Sequence, residues 1–196
     1  MKKTLLVLTA SLLAVAGCKE DKYPIDDLPP DATAPYFSAP FVSVSSTQLF
    51  IPFGDSLAGG GLNNSYEIHI SDLNQKVIAA GAGYVNEVTQ AGNGDYEIHI
   101  SPKVYSIYDE VYLNVKNPTV VQGDSVDAGT ILGKIGTGGM SALKVLKTED
   151  NGITAICPGS LGNAGFNAAF TQSLAISDSL NGDSTLSPCL LITIPQ

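Results

Sequence analysis

The stretch TVVQGDSVDAGTILGKIGTGG, residues 119–139, decides the fold. Val120, Val126, Ala128 and Leu132 are interleaved with Gly123, Asp124, Gly129, Gly133, Gly136 and Gly138, so short apolar runs are cut by glycines. Each glycine stands where a tight reversal needs positive φ or a close backbone approach, and each flanking branched residue fills a core. Outward from this stretch the same grammar continues. FVSV, QLFIPF, SYEIHI, KVIAA, GYVNEV, DYEIHI, EVYLNV, TILGKI and ALKVLK are rich in β-branched and aromatic residues and are separated by Gly, Asn and Asp clusters. The pattern predicts a mainly β domain. Near the end, FNAAFTQSLAI (residues 166–176) sets Phe166, Phe170 and Leu174 on one helical face, which predicts one short helix, followed by a last strand, LLITI, after Cys189.

One hexapeptide, YEIHIS, occurs twice without change, at residues 66–71 and 96–101. A duplicated strand unit is the economical reading. On a strand Tyr66, Ile68 and Ile70 share the core face while Glu67 and His69 point the other way, and Glu97 and His99 repeat that arrangement. Two imidazoles and two carboxylates form a possible metal set. The spacing does not force the two strands to be neighbours, so a solvated outer face is the favoured reading.

The residues of 119–139, together with Val77, Ala79, Ala80, Gly83, Val85 and Val88 of KVIAAGAGYVNEV, resemble the skeleton of the lysostaphin/LytM-type metallopeptidase domain, also called the duplicated hybrid motif. The resemblance covers residues 65–147 and implies a β-sandwich or barrel of glycine-pivoted hairpins. Biotinyl and lipoyl carrier domains share a similar turn but need a modifiable lysine before it, whereas Lys144 comes after. The family's metal and catalytic residues do not carry over. Its first ligand pair falls on Ser65 and His69, its catalytic histidine on Asn114, and its closing His-x-His on Lys144 and Leu146. The family uses four histidines there, and the whole chain has two. An amide or an ammonium replaces neither ligand nor base. The resemblance therefore implies a degenerate member with no catalytic residues, no cofactor and a groove lined by Ser65, His69, Asn114 and Lys144.

The first residues, MKKTLLVLTASLLAVAGC, resemble a bacterial lipoprotein signal: two lysines, an apolar run, then small residues before Cys18. This implies cleavage at residues 1–17, lipid on Cys18 and a chain held at the cell envelope by its N-terminus, with the outer membrane favoured because Lys19 follows the cysteine. Residues 18–40 hold prolines and acids without apolar period and are expected to be a stiff tether. A peptidase-like β domain is expected over residues 41–148, and a C-terminal extension over 149–196. Cys157 and Cys189 are the remaining thiols, and outside the cytosol such a pair reads as a disulfide.

Charge and motif narrow the function. The formal net charge is −9 and all ten basic residues are lysines, which argues against nucleic acid as a partner. Gly159-Ser160-Leu161-Gly162 lacks the glycine spacing of a nucleophile elbow. The GTGG and GGG runs read as turns, and Asp72, Asp124 and Asp127 lack calcium-loop spacing. The expectation is a non-catalytic, membrane-anchored envelope lipoprotein that binds peptidoglycan or an envelope protein such as a cell-wall hydrolase. The alternatives are a zinc hydrolase using His69, His99, Glu67 and Glu97, and a purely structural surface protein.

Overall fold

Strand β9 (Met140–Glu149) is the longest among the described residues, and its ten residues serve three neighbours. The computed structural model describes residues 29–182 and 187–196. One side of β9 pairs with β6 (Tyr108–Lys116). Its other side is shared end to end by β2 (Tyr66–Ile70), against residues 140–143, and β10 (Gly152–Ile156), against residues 145–149. Strand β1 (Thr47–Ile51) lies outside β2, and β11 (Thr193–Pro195) outside β10. Beyond β6 follow β5 (Tyr96–Ser101), β4 (Gly83–Gln90) and the short β7 (Ser125–Val126). Strand β8 (Ile131–Ile135) pairs with the far end of β6 and with β3 (Lys76–Ile78). All of these ladders are antiparallel, and the fold is mainly β with a single α-helix among the described residues.

Strands β8 and β9 run along β6 in line, joined by the glycine loop of residues 136–139. Gly136 is required there, because a Cβ would press on Cβ of Asn114 and on the Met140 carbonyl, both at 2.7 Å. Gly129, at φ 90°, turns the chain into β8.

Alternation sorts the sheet into two faces. Tyr66, Ile68, Ile98, Ile100, Tyr112, Leu143 and Val145 are buried on one of them. Against that face packs helix α1 (Ala164–Asn181), whose buried stripe is Phe166, Phe170, Ser173, Leu174 and Ser177. The rings of Phe166 and Phe170 are 4.8 Å apart, and Tyr66 lies 5.0 Å from Phe170, a contact worth roughly 1 kcal/mol beyond its buried area. The helix is longer than the apolar period predicts because its last turns are held by serines. Ser173 Oγ lies 2.9 Å from Thr47 Oγ1, and Ser177 Oγ accepts from the Phe50 amide at 3.0 Å. Asn163 caps its start by accepting from Phe166 N at 2.8 Å, and Gly182, at φ 71°, ends it. None of the helices among the described residues is long and apolar enough to cross a membrane.

Several boundaries differ from expectation. The signal of residues 1–17, Cys18 and the tether as far as residue 28 lie outside the described residues. From Pro29 the chain is laid against the domain: Asp31 bridges to Ser106, and Phe37 is buried beside Phe166, ring centroids 5.3 Å apart. The buried phenylalanine outweighs the prolines that suggested a free linker. FVSV is not a strand. Phe41 and Val42 enter the core from irregular chain, and residues Val44–Ser46 form a 3-10 turn. The tail beyond residue 148 is no appendage, because β10 extends the ladder of β9 and α1 closes the core. The final strand starts later than LLITI suggests, leaving Leu190, Leu191 and Ile192 exposed.

Cys157 and Cys189 form a disulfide, Cα atoms 6.0 Å apart, across 32 positions of sequence. The Tyr66 hydroxyl donates to Cys189 Sγ at 3.2 Å, and burial pushes that phenol above its ordinary pKa. Replacing both cysteines by serine is expected to lower the unfolding free energy by about 3 kcal/mol, read from the urea midpoint. Phe170→Ala, which empties the centre of the ring cluster, is expected to cost about 3 to 5 kcal/mol in the same assay.

Candidate functional site

The face of the sheet turned away from α1 carries the residues singled out by sequence. On β2 these are Glu67 and His69, opposite Ala142 and Met140 of β9. The ladder ends at the Tyr66–Leu143 pair, and Ser65 and Lys144 are the next residues on the two chains. Strand β6 contributes Asp109, Val111 and Leu113 to this face, β5 contributes Glu97 and His99, and β4 contributes Glu87 and Thr89. Carboxylates and imidazoles are held here on rigid ladders, with Lys144 as the central amine.

Ser65 is 4% exposed and locked. Its Oγ donates to Asn63 Oδ1 at 3.0 Å, while Asn63 Nδ2 donates to the carbonyls of Ile51, Pro52 and Ser65. His69 sits four residues along β2, its Nε2 2.7 Å from Glu67 Oε1. Asn114 does not join them. A bulge in β6 gives it φ 55°, and its Oδ1 accepts from Asn93 Nδ2 at 3.3 Å, so Leu113 takes the place on this face. Ser65 immediately precedes β2, and His69 lies opposite Met140, four residues along β9 from Lys144, so His69 and Lys144 stand about 13 Å apart along the strands, with Asn114 turned to the β4–β5 connection.

The two copies of YEIHIS are separated by β9 and β6, so His69 and His99 are three strand steps apart, roughly 14 Å across the sheet, and a further four residues, about 13 Å, apart along it, since His69 faces Met140 and His99 is level with Lys144. His99 also takes a partner that the repeat does not suggest. Its Nδ1–H donates to Asp109 Oδ2 of β6 at 2.7 Å, not to Glu97. That hydrogen bond holds His99 above the ordinary imidazole range, against the partial burial that lowers it, and the charges of Asp109, Glu87 and Glu97 act in the same direction. Only the register of β5 on β6 could have revealed Asp109, and no local spacing encodes it. Asp95 was also missed. Its carboxylate accepts from Thr137 N at 2.7 Å and Thr137 Oγ1 at 2.9 Å, fastening the β4–β5 connection to the glycine loop before β9.

A zinc ion of the hydrolytic kind takes three protein donors and keeps a fourth place for water. The positions that would supply them do not fit. The Ser65 hydroxyl is committed to Asn63, Lys144 brings an ammonium with no lone pair, and Leu146 has no donor. His69 alone is an adequate ligand. Among the described residues no three His, Cys, Asp or Glu side chains come together as a metal set.

No family model matches the chain, and no curated protein matches it. Solved structures do. A chain of the SpoIIQ–SpoIIIAH pore-forming complex is similar at 18% identity with a TM-score of 0.51, over 67% of this chain and 93% of that one. Lysostaphin is similar at 16% identity with a TM-score of 0.43, over 55% of this chain and 49% of that one. The catalytic domain of lysostaphin from Staphylococcus simulans is similar at 20% identity and 0.43, over 50% of this chain and 78% of that one. The chain thus spans about half the length of lysostaphin. The mainly β fold expected from the glycine skeleton is the fold observed, and it is shared with the chain of the SpoIIQ–SpoIIIAH complex. The likeness is one of fold.

Asp109→Asn is expected to lower the titration midpoint of the His99 imidazole, followed by NMR. A raised histidine pKa stabilises the folded state fully below the unfolded value of 6.5 and less as pH rises through the folded value, so the stability gap between wild type and variant is expected to narrow as pH climbs past that point.

Proposed function

We propose that the chain is an envelope lipoprotein, anchored through lipid on Cys18, whose peptidase-like domain binds without cutting. Its ligand is peptidoglycan or an envelope protein such as a cell-wall hydrolase, and the outer membrane is the favoured location. The observation that carries this reading is that a serine hydroxyl committed to Asn63 and an amine, Ser65 and Lys144, stand where hydrolysis would need metal donors. An amine repels a divalent cation and donates hydrogen bonds to carbonyl or carboxylate groups instead. The open strand face supplies such contacts along an extended peptide: Glu67 and His69 on β2, Lys144 on β9. The similar chain in the SpoIIQ–SpoIIIAH complex offers a precedent for this fold within a protein assembly.

The alternative of a zinc hydrolase built from His69, His99, Glu67 and Glu97 is disfavoured by the two strands between the histidines. The full-length chain is expected to purify without stoichiometric zinc, to leave its melting temperature unchanged in EDTA, and to be retained on purified cell-wall sacculi at low salt without clearing them. Lys144→Glu is expected to reduce that retention at least tenfold, and Cys18→Ser to move the protein out of the membrane fraction. Stoichiometric zinc that disappears in His69→Ala, with clearing of sacculi, would instead establish the hydrolase. Absence of retention would remove peptidoglycan as the ligand, and a Cys18→Ser protein still in the membrane fraction would remove the anchor.

A further inference from the structure

Two carboxylates are buried among the described residues, and they are treated very differently. Asp95 accepts three hydrogen bonds from Thr137 and Asn93. Glu110, on the core face of β6 with 0% exposure, has one. Its Oε2 accepts from the Tyr112 hydroxyl at 3.1 Å, and its Oε1 has no partner. The groups around it offer no compensating charge. Across β9 it faces Val145, with Lys147 two residues on, whose amine is tied to Glu149 above the Tyr108 ring. Across β5 it faces Ile100. On its own strand Asp109 turns to His99 on the opposite face, and Tyr108 and Tyr112 flank it. The chain that meets its partner Tyr112, residues 79–81, is Ala-Ala-Gly and brings no charge.

Tyr112 links this carboxyl to the N-terminal strap. Its hydroxyl also accepts the Ala80 N–H at 2.8 Å, and the Ala80 carbonyl accepts from Ser38 N at 2.9 Å and Ala39 N at 3.2 Å. Beyond that, Phe37 N donates to the Leu161 carbonyl at 3.0 Å. An ionised carboxylate with a partnerless oxygen must gain water. Strands β5 and β9 wall it on two sides with continuous ladders, whereas residues 79–81 and the strap are irregular chain fastened at separate points: Asp31 at Ser106, Phe37 at Gly162, Ala79 at Gly129 and Thr130, and Ser38 and Ala39 at the Ala80 carbonyl. Water enters where the cover is weakest.

We infer that Glu110 and Tyr112 form a proton-dependent latch on residues 31–39, the strap being seated while Glu110 is neutral and lifting from the sheet once Glu110 gives its proton to solvent. Burial, opposed by the Tyr112 hydrogen bond and aided by the Asp109 charge, pushes the Glu110 pKa up to about 8. A raised carboxyl pKa means the folded state holds the extra proton, so stability falls as pH rises from about 4.5 to about 8 and then levels. The strap follows the tether in sequence, so under the anchored reading above its release adds nine residues of reach, about 30 Å fully extended.

Amide hydrogen exchange on the full-length chain, corrected for the intrinsic pH dependence, tests the latch without reference to any anchor. Protection of the Ser38 and Ala39 amides is expected to fall at least tenfold as pH rises from about 4.5 to about 8 and then to level, while β6 and β9 amides keep theirs. Glu110→Gln is expected to abolish that fall. Tyr112→Phe, which cuts the link but leaves the carboxyl buried, is expected to leave the strap poorly protected at every pH. Carboxyl carbon-13 titration of the wild type serves should Glu110→Gln fail to fold. A Glu110 midpoint in the ordinary carboxylate range, strap protection independent of pH, or an equal loss in a folded Glu110→Gln overturns the latch.

Discussion

The ladder of β9 is the constraint on which the rest of the molecule depends. A strand has two hydrogen-bonding edges, and β9 spends one on β6 and divides the other between β2 and β10. That division lays the first copy of the repeated hexapeptide against residues 140–143 and joins residues past 148 to the same sheet. Because side chains alternate along every strand, one register decides both which rings meet α1 and which polar groups face water. A single-residue slip of β2 on β9 would exchange Tyr66 and Ile68 for Glu67 and His69, burying charge and exposing the core.

Core and open face make opposite demands of neighbouring residues. Tyr66 is pinned in the ring cluster and bonded to the disulfide, while Glu67, next to it, pairs with His69 in partial exposure. Glu110 breaks the rule that the core face is apolar. Its neighbour Asp109, with a histidine partner across the strand, does not. These adjacent acids show that the cost of a carboxylate is set by its partners and its water more than by its position along the chain.

What was legible in the sequence follows from what is local. Glycine spacing and strand alternation reveal the hairpins, the core faces of both hexapeptides and the outward turn of His69 and His99, because each depends on the residue's own strand. The cysteine pair was legible from its chemistry. Pairing at long range was not. Asp109 meets His99 only through the register of β5 on β6, and Asn114 leaves the open face because a bulge inserts it into left-handed backbone. The strand at Gly152–Ile156 holds three β-branched residues, Ile153, Thr154 and Ile156, but its five positions are too short to stand out alone, and it forms where β9 offers it an edge. The length of α1 was hidden in Ser173 and Ser177, residues that read as solvent-facing until their partners on β1 are seen.

Those serines have a consequence for the outermost strand. The Phe50 amide is taken by Ser177 and the Gln48 carbonyl by Asn181, so the helix occupies hydrogen-bonding groups that β1 would otherwise offer sideways. A chain cut before the helix would present them to any passing extended segment, including the same strand of another molecule, and would recruit copies of itself into a growing sheet. The terminal region is thus a guard on solubility as much as a part of the core, and fragments designed to isolate the β domain inherit a sticky border.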